Sequence, residues 1–219
     1  MTSEPRATAS QAIRRSLPSV VSIFSRDTEL DVHITALIDE LESGVAPPSS
    51  TLSVATGRAL LKELPAVKNP EPVGSVTDLA IQGPAGEVPL RIYAPEGEGP
   101  FPLLVYLHGG GWVRGSLDAY DGLCRLLTNE ANCVVVSVDY RRAPEHPFPA
   151  GLEDCYAATT WAAENAADLQ GDPERMAVGG DSAGGNLTAA VTLTARDRDG
   201  PVIDHQFLVY PAANPPSVQ

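Results

Sequence analysis

One serine set between glycines limits what this chain can fold into more than any other feature of its sequence. The pentapeptide Gly-Asp-Ser-Ala-Gly at 180–184 follows a short apolar run, 176–179, and precedes a stretch with helical periodicity, 187–196. A serine in a tight turn between a strand and a helix stands clear of the sheet edge, where its hydroxyl can attack a substrate. The pattern therefore predicts a strand–turn–helix unit that presents Ser182 as a nucleophile.

A phosphate-binding turn is the alternative for this segment, because glycine-rich strand-to-helix turns also hold phosphates at helix N-termini. Such turns are usually marked by a Walker lysine or by a G-x-G-x-x-G fingerprint. The chain contains neither of them. We therefore favour the nucleophile.

A second glycine-rich segment, His-Gly-Gly-Gly-Trp at 108–112, follows the apolar run 103–107. Glycine lets the backbone approach a substrate closely, and preorganised backbone N–H groups stabilise the oxyanion that forms when a serine attacks a carbonyl. The segment therefore predicts an oxyanion cradle. We expect His108 itself to brace the loop, since the cradle needs no imidazole.

The remaining pattern predicts an α/β fold with a mostly parallel sheet and helices on both faces. Segments 76–81 and 88–93 alternate around a Gly-Pro-Ala-Gly turn and predict an antiparallel hairpin. Short apolar runs and helical patterns then follow one another: the runs are 103–107, 133–138, 176–179 and 206–210, and the helical patterns are 123–130, 152–167 and 187–196. Ligands bind such sheets at the C-terminal strand ends, where both glycine-rich segments are expected.

Three motifs belong together: His-Gly-Gly-Gly-Trp at 108–112, Asp-Tyr-Arg-Arg-Ala-Pro-Glu-His-Pro-Phe-Pro-Ala at 139–150 and Gly-Asp-Ser-Ala-Gly-Gly at 180–185. In this order they resemble the hormone-sensitive-lipase-like carboxylesterases, the fold-3 branch of the α/β-hydrolases. The likeness runs from about residue 75 to the end and includes Tyr-Pro at 210–211. Arg142 departs from it, since the family usually has leucine there.

The resemblance implies an α/β-hydrolase fold of which this chain holds the first six strands. It also implies a serine carboxylesterase or lipase-like hydrolase that acts on short-acyl esters through an acyl-enzyme on Ser182, with no cofactor and no metal. The oxyanion donors it implies are the N–H groups of Gly110, Gly111 and Ala183.

The family completes its catalytic triad with an aspartate and a histidine from later segments, and the present sequence contains neither segment. We therefore expect a C-terminally truncated chain that is itself inactive. We also expect its last apolar strand, 206–210, to be an unpaired edge that favours association.

None of the four histidines is favoured as the missing base. His205 is expected to open the last strand, about 15 Å from the level of Ser182. His33 belongs to a predicted N-terminal helix, and His146 to a segment that braces the glycine loop in the resembled family. His146 stays open as the weakest alternative.

Two other functions stay open beside the esterase. The first is a catalytically dead ligand-binding protein of the same fold, as in a plant hormone receptor that resembles this family and lacks the histidine. The second is another hydrolase of the fold, such as an arylformamidase or an amidase.

We assign residues 1–70 to an N-terminal arm with cap-like helices, and residues 71–219 to the N-terminal part of the α/β-hydrolase core. Helices are predicted over 30–41 and from Ser53 to Pro65, and the proline-rich segment 69–72 marks the boundary. A cap over the active site is what the resemblance implies for these helices, and simple packing on the core is the alternative.

Charge and composition limit the partners and the compartment. The 219 residues carry a net charge of −13, and only Lys62 and Lys68 are lysines. Such acidity argues against nucleic acid and anionic membranes, and no apolar run approaches the roughly 18 residues of a membrane helix. The three scattered cysteines indicate free thiols in a reducing compartment. We expect a cytoplasmic protein with a small-molecule ester substrate, and we assign no oligomeric state.

Overall fold

The computed structural model describes residues 52–63 and 70–213, together with four single helical positions before them, Val32, Thr35, Ala36 and Asp39. The chain divides into two compact units, Met1–Leu52 and Ser53–Gln219. The predicted arm, most of the predicted helix 30–41 and His33 lie outside the described residues. The predicted domain boundary near residue 70 stays a prediction.

A six-stranded sheet forms the centre of the second unit. Its strands are β1 Ser75–Gly83, β2 Gly86–Ala94, β3 Phe101–Leu107, β4 Val134–Val138, β5 Gly171–Asp181 and β6 His205–Val209. They are arranged in the order β1-β2-β4-β3-β5-β6. The β1–β2 and β2–β4 pairs are antiparallel, and the β4–β3, β3–β5 and β5–β6 pairs are parallel. The predicted hairpin and the mostly parallel sheet are both confirmed.

Within residues 52–63 and 70–213, four helices and one 3-10 turn accompany the sheet. They are α1 Val54–Glu63, α2 Leu117–Ala131, α3 Ala150–Glu164, α4 Ala183–Asp197 and the 3-10 turn Ala166–Leu169. Helix α2 begins earlier than the predicted residue 123, because the Ser116 hydroxyl accepts a hydrogen bond from the Ala119 N–H and caps the helix there. No described helix is long and apolar enough to span a membrane.

Side chains of β3 alternate between the two faces of the sheet, as the pleat requires. Leu103, Val105 and Leu107 belong to one core cluster, which includes residues of α3 and α4, whereas Leu104 and Tyr106 belong to a second cluster with α2. Helices therefore cover both faces, as predicted.

The register of the sheet brings the two glycine-rich segments to the same edge. Leu107, the last residue of β3, pairs with Gly180 near the end of β5. Because the two strands are parallel, the segments that follow them leave the sheet side by side.

Candidate active site

Ser182 occupies the turn between β5 and α4 with a strained backbone, at φ +51° and ψ −113°. A non-glycine residue adopts such a conformation only where its surroundings impose it. The flanking glycines let this turn pass close to β3, since a Cβ at either Gly180 or Gly184 would overlap the Leu107 carbonyl oxygen. The turn therefore has the tight strand-to-helix geometry that a nucleophile elbow requires.

Backbone hydrogen bonds hold the elbow from the side of β6. The Ser182 N–H donates to the Val209 carbonyl at 2.9 Å. The Ser182 carbonyl accepts from the N–H groups of Asn186 and Ala212, each at 3.0 Å. These bonds fix the serine backbone and leave its hydroxyl uncommitted, because no described side chain hydrogen-bonds to Ser182 Oγ.

The glycine loop, which we define as residues 109–115, turns sharply where the N–H groups of Val113 and Arg114 donate to the Gly110 carbonyl at 3.2 and 2.9 Å. Gly110 has φ +119° and Gly111 has φ +63°. A Cβ at Gly110 would overlap the Arg114 carbonyl oxygen, whereas a Cβ at Gly111 would meet no described atom within 4 Å. At Gly110, both the nearby Arg114 carbonyl and the positive φ require glycine. At Gly111 only the positive φ does, because the space where a Cβ would lie is open.

Trp112 continues the loop with φ +60°, which is rare for a bulky side chain. Such a conformation costs roughly 1–3 kcal/mol and persists where neighbouring contacts impose it. The Trp112 carbonyl accepts a hydrogen bond from the Ala143 N–H at 2.9 Å, and its side chain packs against the main core cluster. Nothing in the sequence pattern indicated this strain.

Asp181 joins the elbow to the glycine loop. Its buried carboxylate accepts hydrogen bonds from the Gly109 N–H at 2.9 Å, the Tyr106 hydroxyl at 2.9 Å and the Tyr120 hydroxyl at 3.0 Å. Burial, and then the Asp181 charge, raises the pKa of both tyrosines, so both remain protonated donors. Sequence reasoning missed this network, although Asp181 lies inside the motif beside the predicted nucleophile.

His108 braces the loop, as expected, and is fully buried. Its Nδ1 lies 2.8 Å from the Gly109 carbonyl oxygen, so that nitrogen carries the proton and donates. The Tyr140 ring stacks on the imidazole at 4.4 Å, and the Tyr140 hydroxyl donates to the His108 carbonyl at 2.7 Å. Burial lowers the pKa of His108, which keeps the imidazole neutral.

The segment 139–150 supports the loop from its other end. Arg142 Nη1 donates to the Gly115 carbonyl and to Asp139 Oδ1, each at 2.6 Å. The residue that departs from the family pattern therefore holds the last carbonyl of the glycine loop. Arg141 in turn anchors the segment to α3 through the buried Asp154 carboxylate at 2.7 Å.

His205 and His146, the two other histidines considered as the base within the described residues, differ in position. His205 is the first residue of β6 and pairs with Ala177, at the opposite end of the strand from the Val209–Asp181 pair. His146 is exposed and lines a cavity of about 220 Å³ together with Trp112 and Asn186. Neither histidine hydrogen-bonds to Ser182 within the described residues.

The three cysteines are buried and form no disulfide. Burial raises the pKa of Cys133 to about 11 and that of Cys124 to about 12, so these thiols stay protonated near neutral pH. In the part of the chain that the structure describes, no group of three metal-binding side chains comes together.

A family model described as the alpha/beta hydrolase fold matches residues 104–219. The match covers more than half of the chain, and the chain therefore belongs to this family. The predicted resemblance to its hormone-sensitive-lipase-like esterases is confirmed by the relatives as well.

Two curated relatives and one solved structure illustrate the similarity. The carboxylic ester hydrolase LipN of Mycobacterium tuberculosis is 54% identical over 159 residues, which are 70% of this chain and 42% of that protein. The ethyl acetate hydrolase of Pseudomonas putida is 36% identical over 208 residues, or 90% of this chain and 65% of that protein. The esterase of Pyrobaculum calidifontis superposes with a TM-score of 0.78 at 41% identity, covering 85% of this chain and 60% of the other. The matched part of the chain thus spans between 42% and 65% of the length of these relatives.

Proposed function

We propose that this protein hydrolyses carboxylic esters of short acyl chains through an acyl-enzyme on Ser182. The observation that carries the proposal is the strained elbow at Ser182, tied through Asp181 to a loop in which Gly110 and Gly111 have positive φ. The names of the relatives, carboxylic ester hydrolase and ethyl acetate hydrolase, support the same reaction class.

In the proposed reaction, Ser182 Oγ loses its proton to a base and attacks the ester carbonyl carbon. The carbonyl oxygen becomes an oxyanion, which accepts hydrogen bonds from the N–H groups of Gly110, Gly111 and Ala183. Within the described residues these three N–H groups have no acceptor of their own. As the intermediate collapses, the protonated base gives its proton to the departing alkoxide, which leaves as the alcohol. Water then loses a proton to the base and attacks the acyl-enzyme carbonyl carbon, and return of that proton to Ser182 Oγ releases the acid and regenerates the serine.

The base is the part of the proposal that the described residues do not supply. Because no described side chain hydrogen-bonds to Ser182 Oγ, we infer that the triad histidine and aspartate lie outside the described residues. Loss of the base in a serine protease lowers kcat by about 2 × 10⁶. A polypeptide of residues 1–219 is therefore expected to turn over esters far more slowly than 1 s⁻¹, the low end of typical enzymes.

The assay compares p-nitrophenyl acetate, butyrate and hexanoate as substrates of the intact protein, with any residues that its gene encodes beyond Gln219. Ser182→Ala is expected to abolish release of p-nitrophenol. Ser75→Ala is the matched control, since Ser75 is exposed at the start of β1. Equal rates for wild type and Ser182→Ala would refute the proposal, and tight ligand binding without turnover would favour a dead binding protein instead.

The same assay on the 219-residue polypeptide tests where the base lies. A Ser182-dependent kcat of about 1 s⁻¹ or more would show that the chain contains its own base. Exposed His146 would then be the first residue to replace.

A further inference from the structure

Helix α1 supplies one side chain that reaches both loops beside the elbow. Arg58 Nε donates to the Val113 carbonyl in the glycine loop at 2.8 Å. Its Nη2 donates to the Ala143 carbonyl at 3.0 Å, and its two terminal nitrogens contact the two Glu145 carboxylate oxygens, each at 2.7 Å. One guanidinium therefore contacts segments that lie 55 to 87 positions away in sequence.

These contacts link the glycine loop, next to the strained Trp112, to the segment 139–150. Trp112 already accepts a hydrogen bond from the Ala143 N–H. Arg58 holds the carbonyl of the next loop residue, Val113, and the carbonyl of Ala143 itself. The glycine loop and the segment 139–150 are thus joined directly by the Ala143–Trp112 hydrogen bond and a second time through Arg58.

We propose that Arg58 is a positioning residue that sets the glycine loop, and with it the Gly110 and Gly111 N–H groups, from outside the sheet. The inference rests on the proposed function, since it assigns Arg58 to the same oxyanion cradle. A guanidinium suits this task because its planar fork carries five fixed donors, whereas a lysine ammonium is a compact charge on a flexible stem. Helix α1 then contributes to the site by placing Arg58 against the glycine loop, and does not merely pack on the core.

We expect the hydrogen bonds from Arg58 to the Val113 and Ala143 carbonyls, and not its ion pair with Glu145, to position the loop. Glu145 is exposed, with 53% of its side chain accessible to solvent, and exposed ion pairs contribute little because water screens them. The contacts to Val113 and Ala143 are partly buried and reach the loop directly. Arg58→Met and Arg58→Lys should therefore impair the site, while Glu145→Gln should have a much smaller effect.

The first test separates kcat from KM for ester hydrolysis by the intact protein. Misplacement by about 1 Å can cost up to about 10²-fold in rate. We expect Arg58→Met and Arg58→Lys to lower kcat by about tenfold or more with KM nearly unchanged, because donors displaced from the oxyanion act mainly in the transition state. Arg175→Met is the matched control, since Arg175 also joins a carboxylate, Asp172, to a backbone carbonyl, Pro100, but near the start of β5.

The second test does not depend on activity. Amide hydrogen exchange in the intact protein reports on the N–H groups of Val113, Arg114 and Ala143, which are bonded in and around the loop. Arg58→Met and Arg58→Lys should lose protection at these amides, and Arg175→Met should not. Unchanged protection in both Arg58 variants, or an equal fall of kcat in the Arg175 control, would overturn the inference.

The two proposals fail in different ways. If Ser182→Ala retains full esterase activity, the proposed function is wrong, whereas the exchange measurement still decides whether Arg58 holds the loop. If Arg58→Met does not fold, Arg58→Lys, which keeps the charge and the stem, provides the same comparison.

Discussion

The carboxylate of Asp181 accepts a hydrogen bond from the backbone N–H of Gly109 at 2.9 Å. Asp181 immediately precedes the proposed nucleophile, and Gly109 opens the loop that holds the proposed oxyanion donors. This one bond therefore couples the position of the serine to the position of the donors. Two tyrosine hydroxyls, from β3 and α2, donate to the same carboxylate.

Replacing Asp181 is expected to damage both stability and activity. Asp181→Leu would leave the Tyr106 and Tyr120 hydroxyls without their acceptor, and the Gly109 N–H with only the Tyr120 oxygen at 3.0 Å. Each unsatisfied buried group costs roughly 1–3 kcal/mol. Urea unfolding should show the loss in free energy of unfolding, and ester hydrolysis should fall with it.

Asp181→Asn is the control for that variant. Its amide oxygen can still accept from the Gly109 N–H, so it should retain more stability and more activity than the leucine variant. Equal stability of the leucine and asparagine variants would contradict the role assigned to the Asp181–Gly109 bond.

Gly111→Ala is expected to lower kcat while the protein remains folded. The added Cβ meets no described atom within 4 Å, but φ is +63°, which an alanine disfavours. Loss of one oxyanion donor typically lowers kcat by about 10²–10³. Steady-state kinetics of ester hydrolysis would measure the change.

Gly86→Ala provides the matched comparison. Gly86 also has a positive φ, +124°, with no atom within 4 Å of the added Cβ, but it lies in the β1–β2 turn. A similar fall of kcat in both variants would mean that strain alone, and not the oxyanion cradle, explains the result for Gly111.

Buried His108 should make the folded state less stable in acid. Its pKa is lowered, mainly by burial, from the ordinary value of 6.5. The unfolded chain therefore binds the proton more readily, so the free energy of unfolding should fall as pH drops below about 6.5 and level off above it. Chemical unfolding between pH 8 and 5 would measure this slope.

His108→Asn is the comparison for the pH slope. Asparagine offers an N–H close to the position of Nδ1 but does not titrate, so this variant should show a shallower slope below pH 6.5. Carboxylates contribute to the slope of both proteins alike. Identical slopes would show that His108 does not contribute.

Strand β6 is expected to promote association of the 219-residue polypeptide. Among the described strands it pairs only with β5, and Phe207 and Leu208 are 45% and 40% exposed. Phe207 also lines an apolar cavity of about 570 Å³ with Leu104 and Met176. An unpaired edge with exposed apolar side chains favours edge-to-edge pairing. Analytical ultracentrifugation should therefore detect concentration-dependent oligomers.

Charge on this edge should reduce the association. Phe207→Lys places a lysine on an edge strand, which is a common natural defence against such pairing. Exposed Leu193 on α4 offers a control, since Leu193→Lys adds the same charge away from the strand. A monomeric wild-type polypeptide with slow exchange at 206–209 would contradict the prediction.

Local sequence patterns predicted the strands and helices of the sheet region and the tight turn at Ser182. Alternation in 76–81 and 88–93 indicated the hairpin, and the continuous apolar run of β4 indicated a strand buried on both faces. The glycines around Ser182 indicated the strained turn, because only residues without a Cβ fit so close to β3. Such features depend on neighbours in the chain, so periodicity and glycine placement report them directly.

Tertiary structure alone decided how the site is held together. The bonds from Gly109 to Asp181 and from Arg58 to Val113 span 72 and 55 positions, and neither follows from a local pattern. The positive φ of Trp112 is likewise imposed by contacts with a distant segment and runs against the preference of a bulky residue. The chain by itself thus determines which groups are available for chemistry, whereas packing determines their mutual positions, because the contacts that hold them form only after the strands have come together.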